Sequence, residues 1–247
     1  MITVATNLAP REQHLAYLVS LYGLREQVEG AVMVGALNRS AATEFMALVL
    51  KDEMRVQHVN QDGLEPLGVA RRALVEQAAA ASTWWGTPWV LFLDDDCVLL
   101  PSQLFRMREM VGGRVCCVAY QWEYRGREED LQGRPAFDFT CALVPSRAVH
   151  QVAADQEFMD LFARLNQGGE FLVFDWWLRK EGYCVNILPD HVLHLYVKDG
   201  YKVWASVRQA EWNEVMNRLA GALTVREAEV VMHEYGFLEE EDEEVSD

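Results

Sequence analysis

Short apolar segments alternate with longer helical segments through the first hundred residues, and this order constrains the fold more than any other feature of the sequence. Apolar and β-branched runs predict strands at Ile2–Thr6, Ala31–Leu37 and Arg55–Val59. The helices predicted around these strands are Glu12–Leu24, Ala41–Lys51 and Leu67–Ala81. Strands that alternate with helices form mainly parallel sheets covered by helices, so an α/β fold is expected.

The clearest strand is Trp89–Leu93, a continuous apolar run that ends at Asp94. Two further acids, Asp95 and Asp96, follow directly. Ligands of open α/β sheets bind beyond the carboxyl ends of the strands. The three aspartates therefore stand at the expected ligand-binding edge.

Three consecutive carboxylates beside a buried strand are costly, because like charges and burial both oppose ionisation. A divalent cation removes this conflict, since hard cations take oxygen ligands. In an extended segment Asp94 and Asp96 face one side and Asp95 the other, so one pair serves a common ligand. The alternative is a solvated acidic turn, which the apolar segments on either side, Trp89–Leu93 and Val98–Leu100, disfavour.

The order of elements is less regular after the aspartates. A helix is predicted from Pro101 to about Val111, and the segment from Tyr201 to Phe237 is predicted to be mostly helical. The other predicted elements are the strands Val115–Tyr124, Phe137–Val144 and Val185–Leu188 and the helices Gln156–Leu165 and Asp175–Glu181. We expect a catalytic domain over residues 1–200, a helical extension over 201–237 and an acidic disordered tail over 238–247.

The charge balance narrows the choice of partners. The chain has 38 acidic and 22 basic residues among 247, a formal net charge of -16. This excess argues against a broad basic face for duplex nucleic acid. An acidic protein that binds a nucleotide diphosphate needs a cation to screen the phosphates, which favours a divalent metal.

The cysteines and the termini predict a cytoplasmic protein. Five cysteines are present without a CxxC pair, which indicates buried thiols in a reducing compartment. Cys116 and Cys117 are adjacent in an apolar run, so they should point to opposite faces of a strand. We expect no signal peptide, because Pro10, Arg11 and Glu12 interrupt the apolar start. We expect no membrane span, because no apolar run approaches the roughly 20 residues that a span needs.

Several motifs together resemble the GT-A glycosyltransferases, especially the inverting family 2. Val90–Asp96 is similar to the strand and DxD motif of that family. The other matching segments, in the expected order, are Val4–Asn7, Leu67–Arg72, Asp175–Tyr183 and Pro189–His194. The resemblance covers roughly residues 1–198 and implies a Rossmann-like mixed sheet flanked by helices, with a C-terminal helical appendage. It also implies transfer of a sugar from a nucleoside-diphosphate donor with a divalent metal, usually Mn2+ or Mg2+.

The resemblance assigns roles to the acidic segment. Asp94 would lie near the donor ribose and beside the metal, Asp96 would ligate the metal that bridges the two phosphates, and Asp95 would face the donor sugar. His194 would be a third metal ligand or a phosphate donor, whereas the alternative is a core histidine.

Further donor-binding residues follow from the same resemblance. Thr6 and Asn7 belong to the sugar-nucleotide loop after the first strand, and Arg71 or Arg72 would contact a phosphate or the base. For both arginines the alternative is a solvated helix face. The second strand lacks the acid that usually reads the base, and the amide of Asn38 would substitute for it.

Inverting transfer needs a general base for the acceptor hydroxyl. Asp175 is the first candidate, at the start of its short predicted helix, and its alternative is a helix N-cap. Glu170 is the second candidate, in the loop that follows Gly168–Gly169. The paired acids of the family's base motif are missing before Trp176, so the two candidates stay open.

Three other functions remain. A sugar-phosphate nucleotidyltransferase shares the architecture, although Asn7–Arg11 lacks the usual glycine-rich loop. A haloacid-dehalogenase-type phosphatase fits Asp94 and Asp96 formally, but its motif usually lies near the chain start. A non-catalytic sugar-nucleotide-binding protein is the third. The acceptor, whether glycan, protein or modified nucleic acid, stays open, as does the oligomeric state.

Overall fold

The computed structural model describes residues 1–8, 14–36, 55–61, 67–95, 97–120, 137–165, 169–194 and 213–238. The described strands are β1 Ile2–Leu8, β2 Gly30–Ala36, β3 Arg55–Gln61, β4 Trp89–Leu93, β5 Cys97–Val98, β6 Val115–Val118, β7 Cys141–Pro145, β8 Cys184–Ile187 and β9 Leu193–His194. The described helices are α1 His14–Leu24, α2 Leu67–Trp85, α3 Pro101–Met110, α4 Ser146–Ala154, α5 Gln156–Ala163, α6 Gly169–Lys180, α7 over residues 213–219 and α8 Val225–Glu234.

Seven strands form one mixed sheet in the order β3-β2-β1-β4-β7-β6-β8. The strands β3, β2, β1 and β4 run parallel to one another, as the alternation with helices predicts. Strand β7 is antiparallel to both of its neighbours, β4 and β6. The carboxyl ends of β1, β2 and β4 therefore meet at one edge, and β7 enters the sheet from that edge.

Apolar side chains cover both faces of the sheet. Adjacent residues of β6 go to opposite sides, since Cys116 belongs to one apolar cluster and Cys117 to the other. This alternation confirms the sequence prediction. Burial raises the pKa of the Cys117 thiol to about 12. All five cysteines are thiols, but Cys184 is exposed, so the predicted burial is wrong there. The reason is its place on β8, the edge strand.

Several elements differ from the sequence predictions, among them the strand predicted over Val115–Tyr124, which ends at Val118. Residues Phe137–Thr140 are irregular, and the strand begins only at Cys141. Helix α6 begins at Gly169 instead of Asp175, because its apolar residues bury nearly the whole helix and glycine does not interrupt it. Helix α4 was not predicted at all. The predicted helix Ala41–Lys51 lies outside the described residues.

The C-terminal helices belong to the larger of the two apolar clusters. Their buried side chains in that cluster are Val215, Leu219, Ala222, Val225, Ala228, Val231 and Met232. The indole Nε1 of Trp176 on α6 donates to the carbonyl of Ala222 at 3.0 Å, which anchors the turn between α7 and α8. Within the described part of the chain, no helix is both long and apolar enough to cross a bilayer.

Candidate active site

The acidic segment begins where the central strand β4 ends. The hydroxyl of Thr6 on β1 donates to the carbonyl of Leu93, which ties the two strand ends together. The amide of Asp94 then donates to the carbonyl of Thr140 at 2.9 Å, just before β7. These two bonds fix Asp94 at the carboxyl edge of the sheet, as the sequence predicts.

The backbone turns at Asp94 instead of staying extended. The amide of Cys97 donates to the carbonyl of Asp94 at 3.1 Å, which closes a turn over four residues. The predicted extended conformation is therefore wrong at Asp94 and Asp95, and the predicted facing of Asp94 and Asp96 to one side involves a residue outside the described ones. After this turn the chain leaves the main sheet, since β5 pairs with β9 in a separate two-stranded sheet. Asp95 is buried within the turn, at 3% exposure, and Asp96 lies outside the described residues.

Arg71 on α2 holds the first aspartate. Its Nη2 donates to Oδ1 of Asp94 at 2.9 Å, and its guanidinium carbon lies 5.0 Å from the ring centre of Phe139. Arg71 is only 7% exposed. Burial alone would lower the pKa of Arg71, but the charges of Asp94, Glu170 and Asp138 raise it above its ordinary value. Arg71 is thus a buried cation facing several carboxylates.

Asp138 is a member of this group that the sequence analysis missed. Burial raises the pKa of its carboxyl, and the neighbouring charge of Asp94 raises it further. The amide of Thr140 donates to its Oδ1 at 2.9 Å and partly offsets this rise. A signal was present in the sequence, because Asp138 stands between Phe137 and Phe139 in an otherwise apolar run. An acid inside such a run needs a partner.

The two predicted base candidates lie on α6 in different surroundings. Glu170 is in the first turn of the helix, not in a loop, and is 5% exposed. Asp175 lies in the middle of the helix, not at its N-cap, and is fully buried. Its Oδ2 accepts from Nε of Arg179 at 2.5 Å, and its Oδ1 accepts from the amide of Phe137 at 2.7 Å. Burial raises the pKa of Asp175, while these donors lower it.

Arg72 does not share the site with Arg71. Its guanidinium pairs with Glu76 at 2.9 Å and with Asp160 of α5 at 2.8 Å. Adjacent residues of a helix point about 100° apart, so only one of the two arginines can face the sheet edge. The structure therefore supports the alternative interpretation of Arg72, in which it lies on a solvated helix face.

Asn7 offers a polar group at the same edge. It lies near the end of β1, one residue after Thr6. Its Oδ1 and Nδ2 are both buried, and neither has a hydrogen-bond partner among the described residues. Buried amides in proteins are nearly always paired, so this one is suited to a ligand. Asn38, the other predicted amide, lies outside the described residues.

The predicted histidine comes close to the acidic turn through the backbone. Strand β9 pairs with β5 so that His194 stands opposite Cys97, one residue after Asp96. The described residues, which do not include Asp96, contain no group of three His, Cys, Asp or Glu side chains that could hold a metal. Aspartate and histidine are ligand types that Mn2+ accepts, so the residue types in these two segments suit such an ion.

Solved structures share this fold. No protein-family profile matches the sequence, and no curated protein matches it. A mannosyltransferase from Pyrobaculum calidifontis, solved with GDP-Man and Mn2+, has a TM-score of 0.60 at 14% identity, over 94% of this chain and 68% of that one. GalNAc-T7, solved with UDP, GalNAc and Mn2+, has a TM-score of 0.59 at 12% identity, over 96% of this chain and 55% of that one.

A third match broadens the range of chemistry that the fold supports. A 4-diphosphocytidyl-2C-methyl-D-erythritol synthase from Anaerococcus prevotii has a TM-score of 0.52 at 8% identity, over 85% of this chain and 96% of that one. Identities this low show the fold alone. The chain has the GT-A fold of nucleotide-diphospho-sugar transferases, which confirms the fold class predicted from the sequence.

Proposed function

We propose that this chain is a metal-dependent glycosyltransferase that moves a sugar from a nucleoside-diphosphate donor to an acceptor hydroxyl with inversion. The observation that carries the proposal is the acidic turn at the end of β4, with Asp94 held by the buried Arg71. In this fold, proteins of similar structure have been solved with GDP-Man or UDP and with Mn2+. The same edge of the sheet is where open α/β folds bind ligands.

Asp94, Asp96 and His194 would hold the metal ion. When bound, the ion supplies Lewis-acid stabilisation of the negative charge on the departing diphosphate. Arg71 keeps the carboxylate of Asp94 oriented through its 2.9 Å bond, and the turn from Asp94 to Cys97 fixes the backbone that presents it. Asp95 would lie on the sugar side of the same turn.

The donor nucleotide would lie across the ends of β1 and β2. The buried amide of Asn7 has an acceptor oxygen and an NH2 group with two N–H donors to offer to a base or ribose. Thr6 supports this position through its bond to Leu93 rather than by contact with the ligand. Asn38 would contribute the second amide. We do not retain Arg72 as a donor contact, since it pairs with Glu76 and Asp160.

Glu170 is the better candidate for the general base. It lies in the first turn of α6 and acts electrostatically on Arg71, which bonds to Asp94. Asp175 is fully buried, and both of its oxygens accept hydrogen bonds from Arg179 or Phe137. A base has to reach the acceptor hydroxyl within hydrogen-bond distance, and Asp175, at 0% exposure against 5% for Glu170, has no exposed surface from which to do so.

A donor screen tests the binding part of the proposal. We expect one class among UDP-, GDP-, TDP- and CDP-sugars to raise the melting temperature in the presence of Mn2+. A ligand at about 100 times its Kd stabilises the folded state by about 2.7 kcal/mol. Asp96→Asn should abolish the metal-dependent part of the shift. Asp160→Asn, an exposed aspartate on α5, is the matched control and should shift as the parent does.

Product analysis separates the proposal from its alternatives. Release of nucleoside diphosphate from the donor that binds supports a glycosyltransferase. Release of pyrophosphate from a sugar phosphate and a nucleoside triphosphate would instead make the chain a nucleotidyltransferase, the activity class of the third structural match. Metal-dependent shifts that persist in Asp96→Asn would remove Asp96 from the site.

A further inference from the structure

Two short segments have to stay in place for the proposed site to form. One is the turn that carries Asp94–Asp96, and the other is β9, which carries His194. Among the described residues their backbones pair over two positions of β5 and β9, in which Cys97 faces His194 and Val98 faces Leu193. A two-stranded pairing of this length is not stable on its own in water. Other contacts must therefore hold these segments together.

Gln103 on α3 makes such a contact. Its Oε1 accepts from the amide of Leu100 at 2.9 Å, and its Nε2 donates to the carbonyl of His191 at 2.9 Å. Leu100 follows Asp96 by four residues, and His191 precedes His194 by three. The side-chain amide of Gln103 thus joins the segment after the acidic turn, at Leu100, to the segment before β9, at His191.

The burial of Gln103 gives this bridge its rigidity. Gln103 is 6% exposed, and both polar ends of its amide are used in the two bonds. Its helix neighbour Arg106 also pairs with the second segment, at Asp190, but both of those side chains are about half exposed. Buried hydrogen bonds hold geometry better than exposed ion pairs, which contribute little.

We infer that Gln103 is a positioning residue, which holds His194 against the acidic turn through the bridge from Leu100 to His191. This inference rests on the proposed function, because it assumes that the histidine and the aspartates serve one metal ion. Helix α3, through Gln103, would thereby influence metal affinity. Partners beyond the direct ligands commonly change metal affinity by about 10-fold to 100-fold.

Mn2+ binding, followed by electron paramagnetic resonance with saturating GDP and, separately, UDP, tests this inference. We expect Gln103→Leu and His194→Ala each to weaken Mn2+ binding by about 10-fold. The double variant should be no weaker than His194→Ala, because both changes act through the same ligand. Gln156→Leu, which removes an exposed glutamine bonded to Asp160 at 2.7 Å, is the matched control and should bind Mn2+ as the parent does.

A second variant and a second measurement separate positioning from damage to the fold. Gln103→Glu keeps the acceptor for the amide of Leu100 but replaces the donor to His191 by a carboxylate oxygen that repels the carbonyl, so it should weaken Mn2+ binding as the leucine variant does. Nucleotide binding in the presence of EDTA should stay within about twofold of the parent, as expected when the change at Gln103 acts independently of the nucleotide contacts. A folding defect would weaken both measurements together.

The outcomes are distinct. If the parent protein binds no Mn2+, the proposed function fails and the inference fails with it. If the parent and His194→Ala behave as expected but Gln103→Leu binds like the parent, the inference alone is wrong. Effects of the two single variants that multiply in the double variant would also overturn it, because Gln103 would then act independently of His194.

Discussion

At the scale of single residues, the two adjacent arginines of α2 have opposite roles. Arg71 is buried and bonds to Asp94, with Asp138 and Glu170 raising its pKa, whereas Arg72 forms half-exposed pairs. Breaking a buried ion pair leaves an uncompensated charge in the interior, which is far more destabilising than loss of a surface pair. The two arginines therefore form a matched comparison, in which the change at Arg72 is the control for the change at Arg71.

We expect Arg71→Met to lower the free energy of unfolding by about 3 kcal/mol near neutral pH and Arg72→Met to lower it by less than about 1 kcal/mol. The loss in Arg71→Met should shrink as the pH falls toward about 5. Without the cation, the pKa of Asp138 rises further above its unfolded value, so the folded state binds more protons than the unfolded state. Stability then decreases as pH increases.

Urea unfolding of both variants and the parent at the two pH values measures these changes. Equal losses for the two arginines would contradict the buried pair. A loss in Arg71→Met that did not depend on pH would contradict the acidic surroundings of that residue.

The sequence predicted some of these residues well and others poorly, for physical reasons. The position of Asp94 follows from a strong strand signal and the known edge for ligands, and the structure agrees. Arg71 and Arg72 cannot be separated by pattern alone, since the choice depends on how the helix is rotated against the sheet. Asp138 was missed because a single acid carries no periodic signal.

At the scale of secondary structure elements, α2 packs unusually closely on the end of α5. A Cβ atom added at Gly68 would stand 2.2 Å from the carbonyl oxygen of Phe162 and 2.9 Å from those of Ala163 and Leu165. The amide of Gly68 also donates to the carbonyl of Leu165 at 3.1 Å. The glycine in the predicted motif Leu67–Arg72 is therefore required by the packing of two helices.

We expect Gly68→Ala to destabilise the protein by about 3 kcal/mol, because the clash is with backbone atoms that cannot move independently. Gly23→Ala, in α1, is the matched control. Among the described residues its new Cβ would meet only Pro101, at 3.8 Å, and alanine should stabilise the helix by about 0.5 kcal/mol. Thermal melts of both variants measure the difference, and a Gly68→Ala variant as stable as the parent would contradict the close approach.

Element boundaries were predicted less well than element types. Helix α6 contains a glycine at its first position and buried residues on most sides, so its apolar pattern does not show where it starts. Residues Phe137–Thr140 have strand composition but form the irregular approach to β7, where the carbonyl of Thr140 accepts from Asp94. Tertiary hydrogen bonds override local preference at this position.

At the scale of the whole molecule, the fold class could be predicted from the order of strands and helices. The antiparallel strand β7 could not, because its direction depends on contacts with β4 and β6 that no local pattern encodes. The helices over residues 213–238 were predicted as an extension, yet their side chains contribute to the larger apolar cluster. A cut near residue 200 would therefore expose part of the core.

We propose that the acidic turn at the end of β4 binds a metal ion together with a donor nucleotide. The most direct test is the anomalous scattering of Mn2+ in a crystal grown with the nucleotide that the donor screen identifies. We predict one strong peak within coordination distance, about 2.2 Å, of carboxylate oxygens of the turn that follows β4. A bound nucleotide at another edge of the sheet, or Mn2+ bound away from these carboxylates, would contradict the proposed site.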